Sequence, residues 1–113
     1  MAANNPNDKQ LGKLLLDGEI GAFNQTREKT GAYSLAGLDL SGVDLRNINA
    51  SGLNMRDCRL GHSDLRGIDF SETNLAGASI SCARISGTLF PSDLSAEEIT
   101  LSLVHGTRMR AGK

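Results

Sequence analysis

Residues 38–47 read Leu-Asp-Leu-Ser-Gly-Val-Asp-Leu-Arg-Asn. They contain one five-residue pattern twice: an apolar residue, aspartate, leucine, a variable residue, then glycine or asparagine. The same period runs through residues 33–92, where the third residue of each repeat, its centre, is apolar twelve times in succession. Because only 39% of the chain is apolar, such a series is a roughly one-in-10⁵ event in a random sequence, so the period indicates structure.

A period of five fits neither a helix nor a single strand. Five helical steps of about 100° displace each repeat by about 140°, which would spread the apolar residues around the whole helix. On a strand, an odd period sends successive centres to opposite faces. Within one repeat, however, the centre and the residue two before it share a face, and neither is ever charged. The pattern therefore predicts short extended segments joined by corners and wound into stacked coils.

The clearest repeats are residues 38–42, 43–47, 63–67 and 73–77. They resemble the A(D/N)LXX pattern of pentapeptide repeat proteins, and the resemblance covers residues 33–92. It implies an all-β solenoid, a right-handed quadrilateral β-helix with one repeat per face and four repeats per coil. The chain departs from the family pattern by placing large residues where small ones are favoured, at Leu38, Ile48, Leu53 and Ile68.

Twelve repeats make about three coils, which are residues 33–52, 53–72 and 73–92. Residues twenty apart should then stack about 4.8 Å apart, the spacing of neighbouring strands. The predicted structural core consists of four columns: Leu35, Met55 and Leu75; Leu40, Leu60 and Ile80; Leu45, Leu65 and Ile85; and Ala50, Phe70 and Phe90. A stack of this kind has two ends of unpaired backbone and needs a cap at each.

The flanking segments supply both caps. Leucines at helical spacing, followed by Ile20 and Phe23, predict one broken or two short helices before the repeats. After the repeats, Ser95 and Glu98 form a capping-box signature, and the helix they begin should end at Gly106. The predicted segments are a disordered N-terminus (1–8), an N-terminal helical cap (9–30), the repeats (31–94), a C-terminal capping helix (95–106) and a basic tail (107–113).

Composition narrows the class of protein. The 113 residues carry 13 acids and 12 bases, a net charge of −1, which gives no electrostatic reason to bind nucleic acid or an anionic membrane. No stretch approaches the roughly 18 apolar residues of a membrane span, and residues 1–8 lack a signal-peptide pattern. We expect a cytoplasmic protein whose two cysteines, Cys58 and Cys82, are reduced.

The residues that could carry chemistry do not assemble into a site. His62, Ser63 and Asp64 are the residue types of a catalytic triad, but neighbours on an extended segment point in alternating directions. His62 and Cys82 are twenty apart and should share a corner, whereas Cys58 should face inward. Two ligands fall short of the three or four of a zinc site. We therefore expect no enzyme activity, no cofactor and no metal.

One face should be rich in charge. Asp44, Arg46, Asp64, Arg66 and Arg84 fall on the third face of the stack if residues twenty apart are aligned. Opposite charges alternate there, so the cluster is either a ladder of surface salt bridges or a docking face for a partly acidic protein partner. The sequence leaves both interpretations open.

The C-terminal helix has two apolar stripes. At 100° per residue, Ile99 and Leu103 form one stripe, and Leu101 and Val104 form another on roughly the opposite side. One stripe can cover the end of the coils, and a second copy of the chain could cover the other in a homodimer. In the alternative, the helix tilts, both stripes are largely covered and the protein is a monomer.

Three functions compete. The first is a rigid bacterial scaffold that recognises a protein partner, as solenoid surfaces do. The second is implied by the resemblance, since some pentapeptide repeat proteins mimic DNA and bind type II topoisomerases. Residues 31–94, however, hold seven acids and five bases, and three coils are about 15 Å tall, less than half of a 34 Å turn of DNA. The third, an enzyme or metal protein, has no assembled site to support it.

Overall fold

A computed structural model describes residues 6–31 and 33–112. Helix α1 is Pro6–Leu16, α2 is Ile20–Thr30 and α3 is Ala96–His105. Two short helices therefore precede the repeats, separated by Gly18, whose φ is 78°. Proline suits the first position of a helix because its missing N–H needs no partner there. The expected disorder of residues 1–8 is wrong for residues 6–8, which belong to α1, and residues 1–5 lie outside the described residues.

Residues 33–92 pair with one another at a separation of twenty. Isolated parallel bridges join Ser34 to Asn54 and Asn54 to Asn74, and equivalent bridges join the corresponding residues of other repeats. The amide of Leu40 donates to the carbonyl of Arg59 at 2.8 Å, and the amide of Leu60 donates to that of Ser79 at 2.8 Å. We therefore distinguish three layers: layer 1 (33–52), layer 2 (53–72) and layer 3 (73–92).

The described residues form isolated β-bridges rather than continuous strands, so the predicted all-β solenoid is not confirmed, while α-helices flank the repeats on both sides as predicted. A corner in every repeat explains this, because only two or three residues between corners are extended. The last residue of the repeat has a positive φ in ten of the twelve repeats, a conformation that glycine adopts without strain. Four corners have a side chain instead, with φ between 59° and 74°: Asn47, Asp57, His62 and Cys82.

The four predicted columns lie inside the layers. The residues of the first two columns are all buried, as are Leu45, Leu65, Ala50 and Phe70. Ile85 and Phe90 differ from the prediction because they are only partly buried. They end the third and fourth columns in layer 3, where no fourth layer follows, although the Phe70 and Phe90 rings remain in contact with centroids 6.5 Å apart.

The N-terminal helices replace the missing layer beneath layer 1. One carboxylate oxygen of Asp8 accepts hydrogen bonds from the amides of Tyr33 and Ser34, both at 3.0 Å. The guanidinium of Arg27 donates to the carbonyls of Asn49 at 2.6 Å and Ser51 at 2.8 Å. Burial lowers the pKa of Arg27. Side chains of α1 and α2 thus satisfy backbone groups that a preceding layer would otherwise satisfy.

Helix α3 begins and ends where the sequence predicts. The Ser95 hydroxyl accepts from the amide of Glu98 at 3.1 Å, and Gly106 closes the helix with a φ of 76°. The capping box is only half formed, however, because the Glu98 carboxylate accepts from the side chain of Arg110 at 2.7 Å.

The predicted basic tail is part of the C-terminal cap. Met109 is fully buried, its carbonyl accepts from the amide of Gly77 at 2.7 Å, and its amide donates to the carbonyl of Ala78 at 2.8 Å. Beside it, the amide of Ile80 donates to the buried hydroxyl of Ser102 at 2.9 Å. The segment predicted as a basic tail, 107–113, therefore also pairs with layer 3 through its described residues between 107 and 112. Within the described ranges, no helix is long and apolar enough to cross a membrane.

Candidate interaction surface

Outward-facing aspartates and asparagines order the corners of the stack. The side-chain oxygen of the residue before the centre accepts a hydrogen bond from the amide two residues later, as from Ser41 to Asp39 at 3.0 Å and from Ser71 to Asp69 at 2.8 Å. The same contact recurs at Asp44, Asn49, Asn54, Asp64 and Asn74. These Asx turns explain why Asp or Asn occupies this position, and they fix the outer backbone.

The third face, the outer surface over the column of Leu45, Leu65 and Ile85, carries an ion-pair ladder. Arg46 donates to Asp44 through Nε at 3.0 Å and Nη2 at 2.8 Å. Arg66 donates to Asp64 in the same way, at 2.9 and 2.7 Å. The two layers are connected because Arg46 Nε also lies 3.4 Å from Asp64. Hydrogen bonds from Arg66 are the main reason that the pKa of Asp64 lies far below its ordinary value.

Arg84 ends this ladder without a partner. It takes the position of Asp44 and Asp64 in layer 3, paired to Asp64 through the backbone bridge. Its side chain is exposed and makes no hydrogen bond or ion pair with any described residue. Of the five charged residues that the sequence assigns to the third face, four are therefore paired with one another, and Arg84 is unpaired among the described residues.

Acid should weaken this ladder. Since the pKa of Asp64 is lowered by folding, its contribution to stability is present above the unfolded value of about 3.9 and is lost as the pH falls through the folded value. We expect the denaturation midpoint to decrease as the pH is lowered from 5 to 2. The fall should be smaller in Asp64→Asn and in Arg66→Gln, which remove the acid or the main cause of its shift. Equal slopes in all three proteins would contradict this account.

The two stripes of α3 lie in different environments. Ile99 and Leu103 are partly buried and pack against the core, and Ser102 between them is fully buried. Leu101 and Val104 face outward, with 40% and 62% of their surface exposed. One stripe thus covers the stack, and the other remains uncovered in the single chain.

The residues considered for chemistry lie in two different environments. Cys58 is buried, its thiol donates to the carbonyl of Leu35 at 3.0 Å, and burial raises its pKa to about 11. Ser63 is buried and donates to the carbonyl of Leu60. His62 and Cys82 are exposed corner residues in successive layers. In the part of the chain that the structure describes, no three His, Cys, Asp or Glu side chains are grouped to hold a metal ion.

An ion pair between Asp57 and Arg108 attaches the C-terminal segment to the corner that ends the first repeat of layer 2. Asp57 occupies a corner where the adjacent layers have Gly37 and Gly77. Its carboxylate lies where a Cβ atom of residue 77 would be, and Arg108 also donates to the carbonyl of Gly77 at 3.0 Å. Sequence reasoning missed this pair, although an aspartate in a glycine column was a visible signal.

Gly77→Ala should destabilise the protein more than Gly37→Ala. Both residues have a positive φ, so each alanine costs about 1–2 kcal/mol. At Gly37 the added Cβ meets open space, whereas at Gly77 it overlaps the Asp57 carboxylate. This exposed carboxylate must then move away from Arg108, which adds about 0.2–1 kcal/mol. Urea denaturation measures the difference, and Asp57→Gly should remove it. If Gly77→Ala and Gly37→Ala have equal midpoints, this packing is wrong.

A family model described as pentapeptide repeats matches residues 34–66 and 54–90 of the chain, with eight copies of the repeat. The matched region, 34–90, is just over half of the 113 residues. No curated protein and no solved structure shows significant similarity to the chain.

Proposed function

The chain belongs to the pentapeptide repeat family, and from this premise we propose that it is a non-catalytic scaffold that binds another protein. We further propose that layers 1–3 form the family's right-handed quadrilateral β-helix. The twenty-residue register of the bridges and the corner in every repeat support that geometry. The partner is a protein that recognises an outer face of this stack.

The observation that carries the proposal is the ordered outer surface. Seven Asx turns fix the backbone of the outward-facing repeats. On the third face, two-pronged hydrogen bonds also hold Arg46 and Arg66 in place. A surface that is already ordered loses little conformational entropy on binding, so more of the contact energy appears as affinity.

The third face supports a partly acidic partner. The side chains of Arg46 and Arg66 are 48% and 40% exposed although both are paired, and Arg84 beyond them is free. Several carboxylates on a partner can therefore contact these arginines, each in a different layer. Because Asp44 and Asp64 are already neutralised by arginine, this face differs from the strongly negative surface that mimicry of DNA needs.

Site-specific photo-crosslinking in native cells tests the scaffold. The first to fourth faces are the outer surfaces over the columns that begin with Leu35, Leu40, Leu45 and Ala50. A photoreactive amino acid replaces one exposed residue on each face, in that order: Ala36, Ser41, Ser86 and Ser71. We expect one protein to be crosslinked from Ser86 on the third face and much less from the other three positions. Absence of a specific crosslink from any face would contradict the proposed function.

We also propose that the uncovered stripe of α3 joins two copies of the chain. Leu101 and Val104 are exposed on one side while Ile99 and Leu103 contact the core on the other. A helix that is apolar on both sides is usually buried on both sides, and a two-fold dimer is the commonest arrangement that achieves this.

Size-exclusion chromatography with light scattering tests the dimer. At tens of micromolar we expect twice the monomer mass for the wild type and a folded monomer for Leu101→Glu with Val104→Glu. The matched variant, Ile99→Glu with Leu103→Glu, should unfold the cap because these side chains pack against the core. A monomeric wild type would refute the dimer.

A further inference from the structure

The C-terminal cap covers only half of the upper edge of layer 3. On its first and second faces, the backbone groups of Gly77, Ala78, Ile80 and Cys82 form hydrogen bonds with α3 or the segment after it, and the partner of Ile80 is the Ser102 hydroxyl. On the third and fourth faces, the amides of Ile85, Gly87 and Phe90 have no acceptor among residues 6–31 and 33–112.

Layer 2 shows what these amides lack. Twenty residues earlier, the amides of Leu65, Gly67 and Phe70 donate to the carbonyls of Arg84, Ser86 and Leu89 at 2.9, 3.0 and 2.8 Å. The edge formed by residues 83–90 (the open edge) therefore has the same row of N–H donors, but no described segment accepts hydrogen bonds from them. Because a buried N–H without a partner is rare in a folded protein, these donors should face water.

The side chains along the open edge agree with this. Leu65 and Phe70 are fully buried, whereas Ile85 and Phe90, at the same positions one layer higher, are only partly buried. Leu89 is 58% exposed. Unpaired backbone beside exposed apolar side chains is a template for the addition of another extended segment.

Charge indicates what that segment should contain. In the layers below, each aspartate of the third face lies beside an arginine, and Arg46 contacts an aspartate of the next layer, Asp64, at 3.4 Å. Arg84 takes the position of Asp44 and Asp64 in layer 3, so it would lie directly beneath the corresponding residue of an added segment, and it has no carboxylate partner among the described residues. A carboxylate placed above Arg84 would continue the ladder.

We propose that the open edge binds an extended segment of the partner protein by backbone pairing in parallel with residues 83–90. The segment has Asp or Glu beside Arg84, an apolar residue immediately after it over Ile85, and a second apolar residue five positions later over Phe90. This inference rests on the proposed scaffold function and gives it a binding site and a partner chemistry.

The chain itself provides a probe with this pattern. Residues 63–72, Ser-Asp-Leu-Arg-Gly-Ile-Asp-Phe-Ser-Glu, lie on layer 1 in the register proposed for the partner on layer 3. A synthetic peptide of this sequence is titrated into ¹⁵N-labelled full-length protein and followed by NMR. We expect the amides of Ile85, Gly87 and Phe90 to shift and their hydrogen exchange to slow by tenfold or more.

Charge exchange tests the recognition of the carboxylate. Arg84→Glu should weaken binding of this peptide at least tenfold, and a peptide with lysine in place of its first aspartate should recover the loss. Arg56→Glu is the matched control, because Arg56 is exposed on another face and its side chain has no partner among the described residues. It should bind the original peptide like the wild type.

Three results would overturn the proposal. These are no shift at millimolar peptide, equal weakening by Arg84→Glu and Arg56→Glu, or slow exchange of the three amides in the free protein. If that slow exchange increases with protein concentration, a second copy occupies the edge. A partner crosslinked equally from wild type and Arg84→Glu would refute the edge and leave the scaffold standing, whereas absence of any specific crosslink in the wild type would refute the scaffold and, with it, the partner assigned to the edge.

Discussion

Leu65→Asp should abolish the folded state. Leu65 is fully buried in layer 2, between Leu45 below and Ile85 above. Removing a buried leucine costs about 2–5 kcal/mol, and an unpaired buried charge adds several more. The total approaches the 5–15 kcal/mol stability of a typical domain. Circular dichroism should show no cooperative thermal transition.

Arg66→Asp is the matched control for this change. The residue is adjacent in the chain but points outward, and its side chain is 40% exposed. The variant loses the hydrogen bonds to Asp64 and places two acids together, a surface change of about 1 kcal/mol. It should therefore unfold cooperatively a few degrees below the wild type. Comparable losses at the two positions would show that the inward and outward assignment is wrong.

A single alanine inserted between Gly67 and Ile68 should also prevent folding. It shifts every later residue by one position, so that Phe70 and the centres of layer 3 leave the interior. The amides and carbonyls that pair at a separation of twenty lose their partners at the same time. The contacts of α3 with layer 3 depend on the same register. Thermal denaturation should show no folded baseline.

The same insertion placed between Asn4 and Asn5 precedes the first described helix and leaves the repeat register unchanged. We expect its melting temperature to be within a few degrees of the wild type. If both insertions melt at the same temperature, the stacked register cannot be what stabilises the protein.

The interior was predictable because each repeat specifies it locally. A centre such as Leu40 or Leu60 is apolar in its own five residues, and the period alone places it in a column. Ile85 and Phe90 satisfy the same rule but are only partly buried. Their burial depends on a covering segment from another part of the chain, and the repeat pattern contains no information about that segment.

At the ends of the stack, the sequence predicted that helices are present but not how they contact the layers. Capping residues gave the bounds of α3, because Ser95 and Gly106 act on their own neighbours. The contacts of Asp8 and Arg27 with layer 1 join residues more than twenty apart, and no local pattern marks them. Met109 was assigned to a basic tail for the same reason, since its partners are Gly77 and Ala78.

The charged surface was predictable in position and not in detail. The period assigned Asp44, Arg46, Asp64 and Arg66 to one face, which is where the structure has them paired. Arg84 is unpaired because the stack ends at layer 3. Predicting this requires knowing how far the C-terminal cap extends over that layer.

The stacked register is the central claim, and NMR couplings across hydrogen bonds test it most directly. In ¹⁵N,¹³C-labelled protein, the amide nitrogens of Leu40, Leu60 and Leu65 should couple to the carbonyl carbons of Arg59, Ser79 and Arg84. Each acceptor lies nineteen residues after its donor. Couplings to carbonyls four residues earlier, or at a separation other than nineteen, would contradict the account.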